Sequence, residues 1–436
     1  MEAQQPRSAF GLQPQAGRGA TAGLSAGVVP QIAPQGRATA LPVTWSGNPW
    51  SLTGLSFLNF LLSIVTLGIY GFWGRTEVRK RIWSSVRLGG EPLEYTGTGK
   101  ELFVGFLFVV GAVFLPLLVI GVATQFAFGP RSPTTLAAQI GLYAVFFYLV
   151  GVAMYRARRY RLSRTNWRGI RGALTGNSWA YGWTSFWTML LLPIAVVVAA
   201  LALRYGIGPS IVGRFAGSPW MSGGIALAVL IGWLWLVPWR STKLYRHITN
   251  DMTFGESPFS FVGSAGPLYA RFVARWIGVV ILAIATVAAL YWVGILQKLP
   301  QFMQPKPDIA KNPFTTREIA WLVAILLVAS FLYSIITAWY RAAQANIFAA
   351  ATRFEGVPLK LDVAAGGLIW LYVTNYLITT FTLGILKPVA EARNAQYFVE
   401  RFAFDGPIDL ERIAQSQAAL GKTGEGLAQA FDVDAF

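Results

Sequence analysis

Eight stretches of 18 to 25 residues, free of Lys, Asp, Glu and His and, apart from Arg275 in the sixth, of Arg, recur near 51–73, 102–124, 136–155, 184–203, 222–239, 272–296, 319–340 and 366–386. Each meets the roughly 20 residues that a helix rising about 1.5 Å per residue needs to cross about 30 Å of hydrocarbon. Little of the 436-residue chain is then left for a water-soluble core. The sequence therefore predicts an all-α polytopic membrane protein with about eight transmembrane helices. Composition supports that class. Only 13% of residues are charged and mean hydropathy is +0.49, against about 25% charged residues in a soluble domain.

The net charge of +17 is distributed unevenly. Loops 74–100, 156–183, 240–275 and 341–365 hold 21 Lys and Arg, whereas the alternate loops 125–135, 204–221 and 297–318 hold 7. Such alternation is the positive-inside pattern, which places the first set in the cytoplasm and the N-terminus outside. Basic charge thus orients the protein, and no nucleic-acid partner is expected. Region 387–436 has five basic and eight acidic residues. Having no positive excess, it is expected outside as well.

The cytoplasmic loops carry a small recurring motif, an apolar residue just before a Gly: 86-VRLGGEPL, 165-TNWRGI, 252-MTFGESPF, 352-TRFEGVPL and 402-FAFDGPI. Gly permits a turn that the preceding helix cannot make, and a following Pro blocks re-entry into helix. A polar-aromatic stretch runs ahead of each motif. In 155-YRARRYRLSRTNW, helical spacing puts Arg161, Arg164, Arg168 and Arg171 on one stripe, beside Tyr160, Ser163, Trp167 and Ile170. Together with Arg79, Lys80 and Arg81 they are candidate contacts for anionic headgroups, at about 1 kcal/mol per basic residue. The alternative is that they simply anchor helix ends. The architecture reads as a repeat of helix in, interfacial segment, tight turn and helix out.

One apolar phrase is written twice, as 59-NFLLSIVTLGIYGFW-73 and 375-NYLITTFTLGILKPV-389. Asn59, Ser63 and Thr66, like Asn375, Thr379 and Thr382, fall at i, i+4 and i+7 and line one helix face. Interhelical hydrogen bonds of about 0.6 kcal/mol and a solute-contacting stripe both fit this pattern. Eight crossings would make the two copies inverted, as in several transporter folds.

The run 66-TLGIYGFWGRTEVRKRIW followed by 94-EYTGTGKELFVGF resembles the YjgN-like family of bacterial inner-membrane proteins. Within it, Glu94, Tyr95, Thr96, Gly97, Thr98, Gly99, Lys100 and Glu101 are similar to a family signature. The later runs 340-YRAAQANIFAAATRFEGVPL and 382-TLGILKPVAEARNAQYF extend the resemblance over most of 50–412. The last copy departs in one respect: its basic run has thinned to Arg393 and Arg401. The resemblance implies a multi-spanning inner-membrane protein whose molecular function is not established, and it brings no catalytic residues with it.

Chemistry-bearing motifs are scarce. There are no cysteines and one histidine, His247, which excludes disulfides, thiolate sites and His-rich metal clusters. The phosphate-loop pattern G-x-x-x-x-G-K-[ST] is incomplete at 421-GKT and at 97-GTGK. The candidate carboxylate pairs for acid–base work are Glu91 with Glu94 and Asp251 with Glu256, both in basic loops where salt bridges are the ordinary explanation. No Asp, Glu or His lies inside the eight stretches, which disfavours an ion-coupled pump. No catalytic residue, metal or cofactor is expected. The organisation is a Gln/Pro/Gly/Ala-rich arm over 1–44, too poor in large apolar side chains to order itself, a transmembrane domain over 45–412 and a flexible tail over 413–436. No removable signal peptide is expected. Three functional classes remain: a non-enzymatic envelope protein that organises anionic lipids, protein partners or further copies of itself; a transporter or channel for a neutral or anionic solute; and a membrane enzyme.

Overall fold

A computed structural model describes residues 41–201, 219–302, 314–408 and Ile413. Strand β1 (Val43–Trp45) leads into helices α1 (Thr53–Val65) and α2 (Gly71–Ser85), then β2 (Val86–Leu88), β3 (Glu91–Pro92) and β4 (Glu94–Tyr95). Helices α3 (Gly99–Phe128) and α4 (Pro133–Arg164) precede β5 (Thr165–Trp167) and β6 (Ile170–Leu174). Helices α5 (Ser178–Leu201) and α6 (Pro219–Asn250) precede β7 (Met252–Phe254) and β8 (Ser257–Phe261). Next come α7 (Tyr269–Trp292), the short α8 (Ile295–Phe302) and α9 (Thr316–Ala350), then β9 (Thr352–Phe354) and β10 (Val357–Leu361). Helices α10 (Ala365–Phe381) and α11 (Lys387–Val399) and strand β11 (Phe402–Phe404) close the fold.

The protein is mostly helical, and among the described residues α3, α4, α7 and α9 are each long and apolar enough to cross a membrane. Their flanks expose Ile140, Ile281, Ile284 and Val328, as surfaces solvated by lipid do. Close helix contact depends on small residues. Gly151 of α4 faces Gly182 and Ser185 of α5, where an added Cβ would come within 3.0 Å of the Gly182 Cα.

Two of the eight apolar stretches depart from the expected single helix. Residues 51–73 break after Val65 and 366–386 after Phe381, and in each case the chain doubles back as a second helix. The break is a helix C-cap of the Schellman type. Gly68 N–H donates to Ser63 O (2.6 Å) and Leu67 N–H to Ile64 O (3.1 Å); 316 residues later Gly384 donates to Thr379 O (2.7 Å) and Leu383 to Thr380 O (3.2 Å). Both motif positions have left-handed backbone: Leu67 φ 51°, Gly68 φ 89°, Leu383 φ 51° and Gly384 φ 86°. An apolar run cannot reveal this reversal by composition. At 13 and 17 residues, α1 and α10 extend about 20 and 25 Å, short of a hydrocarbon core.

The second departure lies in the loops. The polar-aromatic stretches continue the helices, to Ser85 and to Arg164, but the motifs expected to be tight turns are β-hairpins, so the all-α expectation holds for the bundle and not for its capped end. Eight strands form one sheet in the order β11-β10-β9-β8-β7-β6-β5-β4, and β1, β2 and β3 form another, all pairs antiparallel. The hairpin loops are two residues long. Gly89–Gly90, Arg168–Gly169 and Glu355–Gly356 have positive φ at both positions and Gly255 at the first, as the right-handed twist of hairpin strands demands. The apolar residue before each glycine now has a reason. Leu41, Phe354, Leu359, Ile408 and Ile413 form one buried cluster, against which Leu88, Phe254 and Phe404 pack. Trp167, itself buried, lies 6.1 Å from Phe254, centroid to centroid. Every motif therefore supplies one side chain to a common cap.

The cap also shows where the described chain begins and ends. Because β1 pairs with β2 and β11 with β10, the chain enters and leaves the described fold at the end that carries the hairpins, not opposite it. Within the expected arm over 1–44, Leu41 is buried and β1 starts at Val43. Residues 1–40, and the expected tail apart from Ile413, lie outside the described residues.

Candidate functional site

The signature loop clamps three helices together. Glu94 and Tyr95 form β4 opposite Asn166 and Thr165 of β5, and Thr96 N–H donates to Arg164 O (2.9 Å). Thr98 caps α3 by accepting from Glu101 N–H. Gly97 lies over the Tyr95 ring, and Gly99 lies so close to Trp73 of α2 that a Cβ would meet its Cα at 2.7 Å. Lys100 points outward. Glu101 accepts hydrogen bonds from the Tyr160 hydroxyl and from Arg164 (2.7 Å). Tyr95 is 5% exposed. Burial pushes its hydroxyl above the ordinary range, opposed by the positive charges of Arg79, Arg161 and Arg164.

The arginine stripe does not form. Helix α4 ends at Arg164, so Arg168 sits in the β5–β6 turn and Arg171 in β6. Arg161 is 9% exposed. Arg168 makes a bidentate pair with Glu91 (2.8 and 2.9 Å) and stacks over Trp167 at 4.8 Å. The pair holds the Glu91 carboxyl below the usual carboxylate range, chiefly through the hydrogen bonds from Arg168. Arg81 lies 3.7 Å from Glu77, and Lys80 is exposed. Helical spacing projected past Arg164 could not register that Thr165 begins a strand.

The intramembrane polar residues serve the two hairpins. Thr66 Oγ1 donates to Leu62 O and accepts from Tyr70 N–H; Thr382 Oγ1 donates to Ile378 O and accepts from Leu386 N–H. Thr379 donates to Asn375 O at 2.6 Å, and Ser63 Oγ lies near Gly71. Asn59 Nδ2 reaches Gly74 O at 3.4 Å, and Asn375 Nδ2 reaches Ala390 O at 3.3 Å, fifteen residues ahead in each copy. The copies then diverge. Asn375 Oδ1 accepts from Arg393 (2.7 Å), which also donates to Thr374 (2.9 Å), and Asn375 Nδ2 donates to Asn394 (3.0 Å). Asn59 Oδ1 is buried with no hydrogen-bond partner among the described residues.

A third polar cluster, beneath the cap, is one that sequence reasoning missed. The Tyr155 hydroxyl donates to Asp251 Oδ2 (2.7 Å), and His247 Nε2 lies 3.6 Å from the same oxygen, with the Tyr181 ring edge-on to the imidazole at 5.4 Å. Tyr155 is fully buried. This arrangement joins α4 to the end of α6. The i, i+4 spacing of His247 and Asp251 could have hinted at it, but Tyr155 lies 96 residues away. The remaining carboxylate-pair members are also placed: Glu94 accepts weakly from Asn166 (3.4 Å), and Glu256 occupies the β7–β8 turn.

Known proteins place this architecture in a family. Over 376 residues, 84% of this chain and 89% of the relative, the sequence is 21% identical to inner membrane protein YjgN of Salmonella typhimurium. It is 24% identical over 139 residues, 32% of each chain, to inner membrane protein YjgN of Escherichia coli K12. No solved structure matches. The relatives and the apolar helices identify an integral inner-membrane protein. The model of the family described as "Bacterial protein of unknown function (DUF898)" matches residues 40–430, and the chain belongs to that family.

Proposed function

We propose that the protein is a non-enzymatic organiser of the inner membrane, built of six crossings, α3 to α7 and α9 without the short α8, whose cytoplasmic ends are gathered under one β-cap. The first and last helical pairs dip into the inner leaflet and return without crossing. The observation that carries this reading is the convergence of all five loop motifs on one apolar cluster. A duplicated helix–hairpin unit would account for both the recurring motif and the TLGI phrase, and the basic bias of the same loops favours a cytoplasmic cap. Its partners are anionic headgroups at the cap rim and other membrane proteins docked on the lipid-facing helices. The hairpin tips favour this placement. Val65, Leu67, Phe381 and Leu383 are 79%, 94%, 82% and 90% exposed, as apolar points that meet lipid or another protein are.

Topology mapping tests the proposal. A reporter active only in the cytoplasm, fused after Phe436, should be active, and the same reporter inserted between Arg204 and Met221 should be silent. Activity at the second site or silence at the first would remove the six-crossing reading.

A further inference from the structure

A cleft of about 340 Å³ opens between the first turns of α10 and the last turns of α11, lined among others by Gly367, Trp370, Arg393, Gln396, Tyr397 and Arg401. Its electrostatics are incomplete. Arg393 is partly buried, yet its guanidinium donates only to the neutral oxygens of Asn375 and Thr374, and no described carboxylate pairs with it. Arg401 stacks on the Tyr397 ring at 3.7 Å. Glu400, also on the rim, lies 3.6 Å from Arg401 and accepts from Gln396 at 2.7 Å. Two guanidiniums against one carboxylate leave the cleft net positive. A desolvated cation lacking a counter-charge is costly, and a bound anion removes that cost.

The cleft has an apolar wall as well. Trp370 is 69% exposed one turn into α10. A Cβ at Gly367 would come 2.5 Å from the Tyr397 hydroxyl, which is held by Ala364 O at 3.2 Å. The lack of a side chain at 367 therefore keeps the cleft open. Nor does the hairpin itself require these residues. In the first copy the positions 316 residues earlier are Ser51, Gly54, Glu77, Lys80, Arg81 and Ser85, and that hairpin makes the same C-cap bonds without them.

We infer that this cleft binds the phosphate of an anionic phospholipid, with Arg393 and Arg401 facing the phosphate and Trp370 facing the glycerol and upper acyl chain. The inference rests on the placement proposed above for its depth. Because α10 begins directly after β10 and α11 ends directly before β11, the cleft lies where cap and bundle join, at headgroup level, the usual depth for Trp beside Arg.

Native mass spectrometry of the full chain, delipidated in detergent and titrated with phosphatidylglycerol or phosphatidylcholine, tests it. Phosphatidylglycerol should bind first and to one saturable site. Arg401→Gln and Arg393→Gln should each weaken that site roughly tenfold, the loss expected for one charge-assisted hydrogen bond. Phosphatidylcholine binding should be unchanged, and inorganic phosphate at about 10 mM should not displace the lipid. Since Arg393 also holds Asn375, Arg401→Gln and Trp370→Ala, which leave the hairpin bonds intact, are the deciding variants. Wild-type affinity in both would overturn the inference, and displacement by phosphate alone would overturn the lipid as occupant. Retained binding together with a silent reporter after Phe436 would count against the six-crossing topology and leave the cleft standing.

Discussion

The two TLGI hairpins share a backbone and differ in what locks it. Each ends its first helix with the same pair of C-cap bonds, puts a leucine at φ near 51° and returns an asparagine to a carbonyl fifteen residues ahead. In the C-terminal copy Asn375 is 7% exposed and makes three side-chain bonds, one of them from Arg393. In the N-terminal copy position 77 is Glu, which leans toward Arg81, and Asn59 Oδ1 is left unbonded. A turn motif can thus fix the path of the chain while the side chains around it decide how firmly it is held and what it can bind.

The largest effect should come from removing the lock. Asn375→Ala strands the Arg393 guanidinium and should lower stability by about 2–4 kcal/mol, whereas Asn59→Ala should cost about 1 kcal/mol or less. Thermal unfolding of the purified protein reads both, and equal losses would abolish the distinction between the hairpins. Glu77→Arg gives the first hairpin the donor it lacks and should stabilise it by about 0.5–1.5 kcal/mol; a loss of stability would show that Asn59 Oδ1 cannot be reached from that position.

Smaller shifts are expected at the tips. Leucine in left-handed backbone costs roughly 1–2 kcal/mol, which glycine avoids. Leu67→Gly and Leu383→Gly should therefore raise stability in detergent by up to about 1 kcal/mol, and should weaken labelling of the tip by a hydrophobic reagent confined to the bilayer. Absence of labelling in the wild type would place the tips outside the hydrocarbon.

The smallest effect separates cap from hairpins. Glu91 is solvated, and its folded-state carboxyl titrates below the usual range because of Arg168. Its contribution is present above the unfolded carboxylate value and fades as pH falls through the lower folded one. The stability difference between the wild type and Glu91→Gln should therefore shrink when pH is lowered from about 6 to about 3, while Asn375→Ala keeps its full deficit. A Glu91→Gln difference independent of pH would break the assignment.

Much of this was legible in the sequence, at the level of pieces. The apolar runs that become α3, α4, α7 and α9 stand out because so few charges interrupt them. The glycine motifs stand out because hairpin loops need positive φ. What did not show is how the pieces join. Strands such as Thr165–Trp167 and Thr352–Phe354 are three residues long, too short for alternation to register beside a helix of 32 or 35 residues. The reversal at Leu67 leaves no trace in hydropathy, since both sides of the turn are apolar. The bonds of Arg393 and Tyr397 leave no mark in the sequence, because their partners, Asn375 and Ala364, are 18 and 33 residues away.

The cap cluster also sets an order of assembly. Leu41 and Ile413 lie in the same buried group, so its first and last members are separated by almost the whole polypeptide. A chain emerging from the ribosome can insert its helices one after another, yet the cluster cannot close until the final strand has been made. Any chain cut short before Phe402 would leave Phe354 and Leu359 without the Phe402, Phe404, Ile408 and Ile413 that pack on them. Such a surface marks an unfinished protein to the quality-control machinery, so Phe402, Phe404, Ile408 and Ile413 act as its certificate of completion.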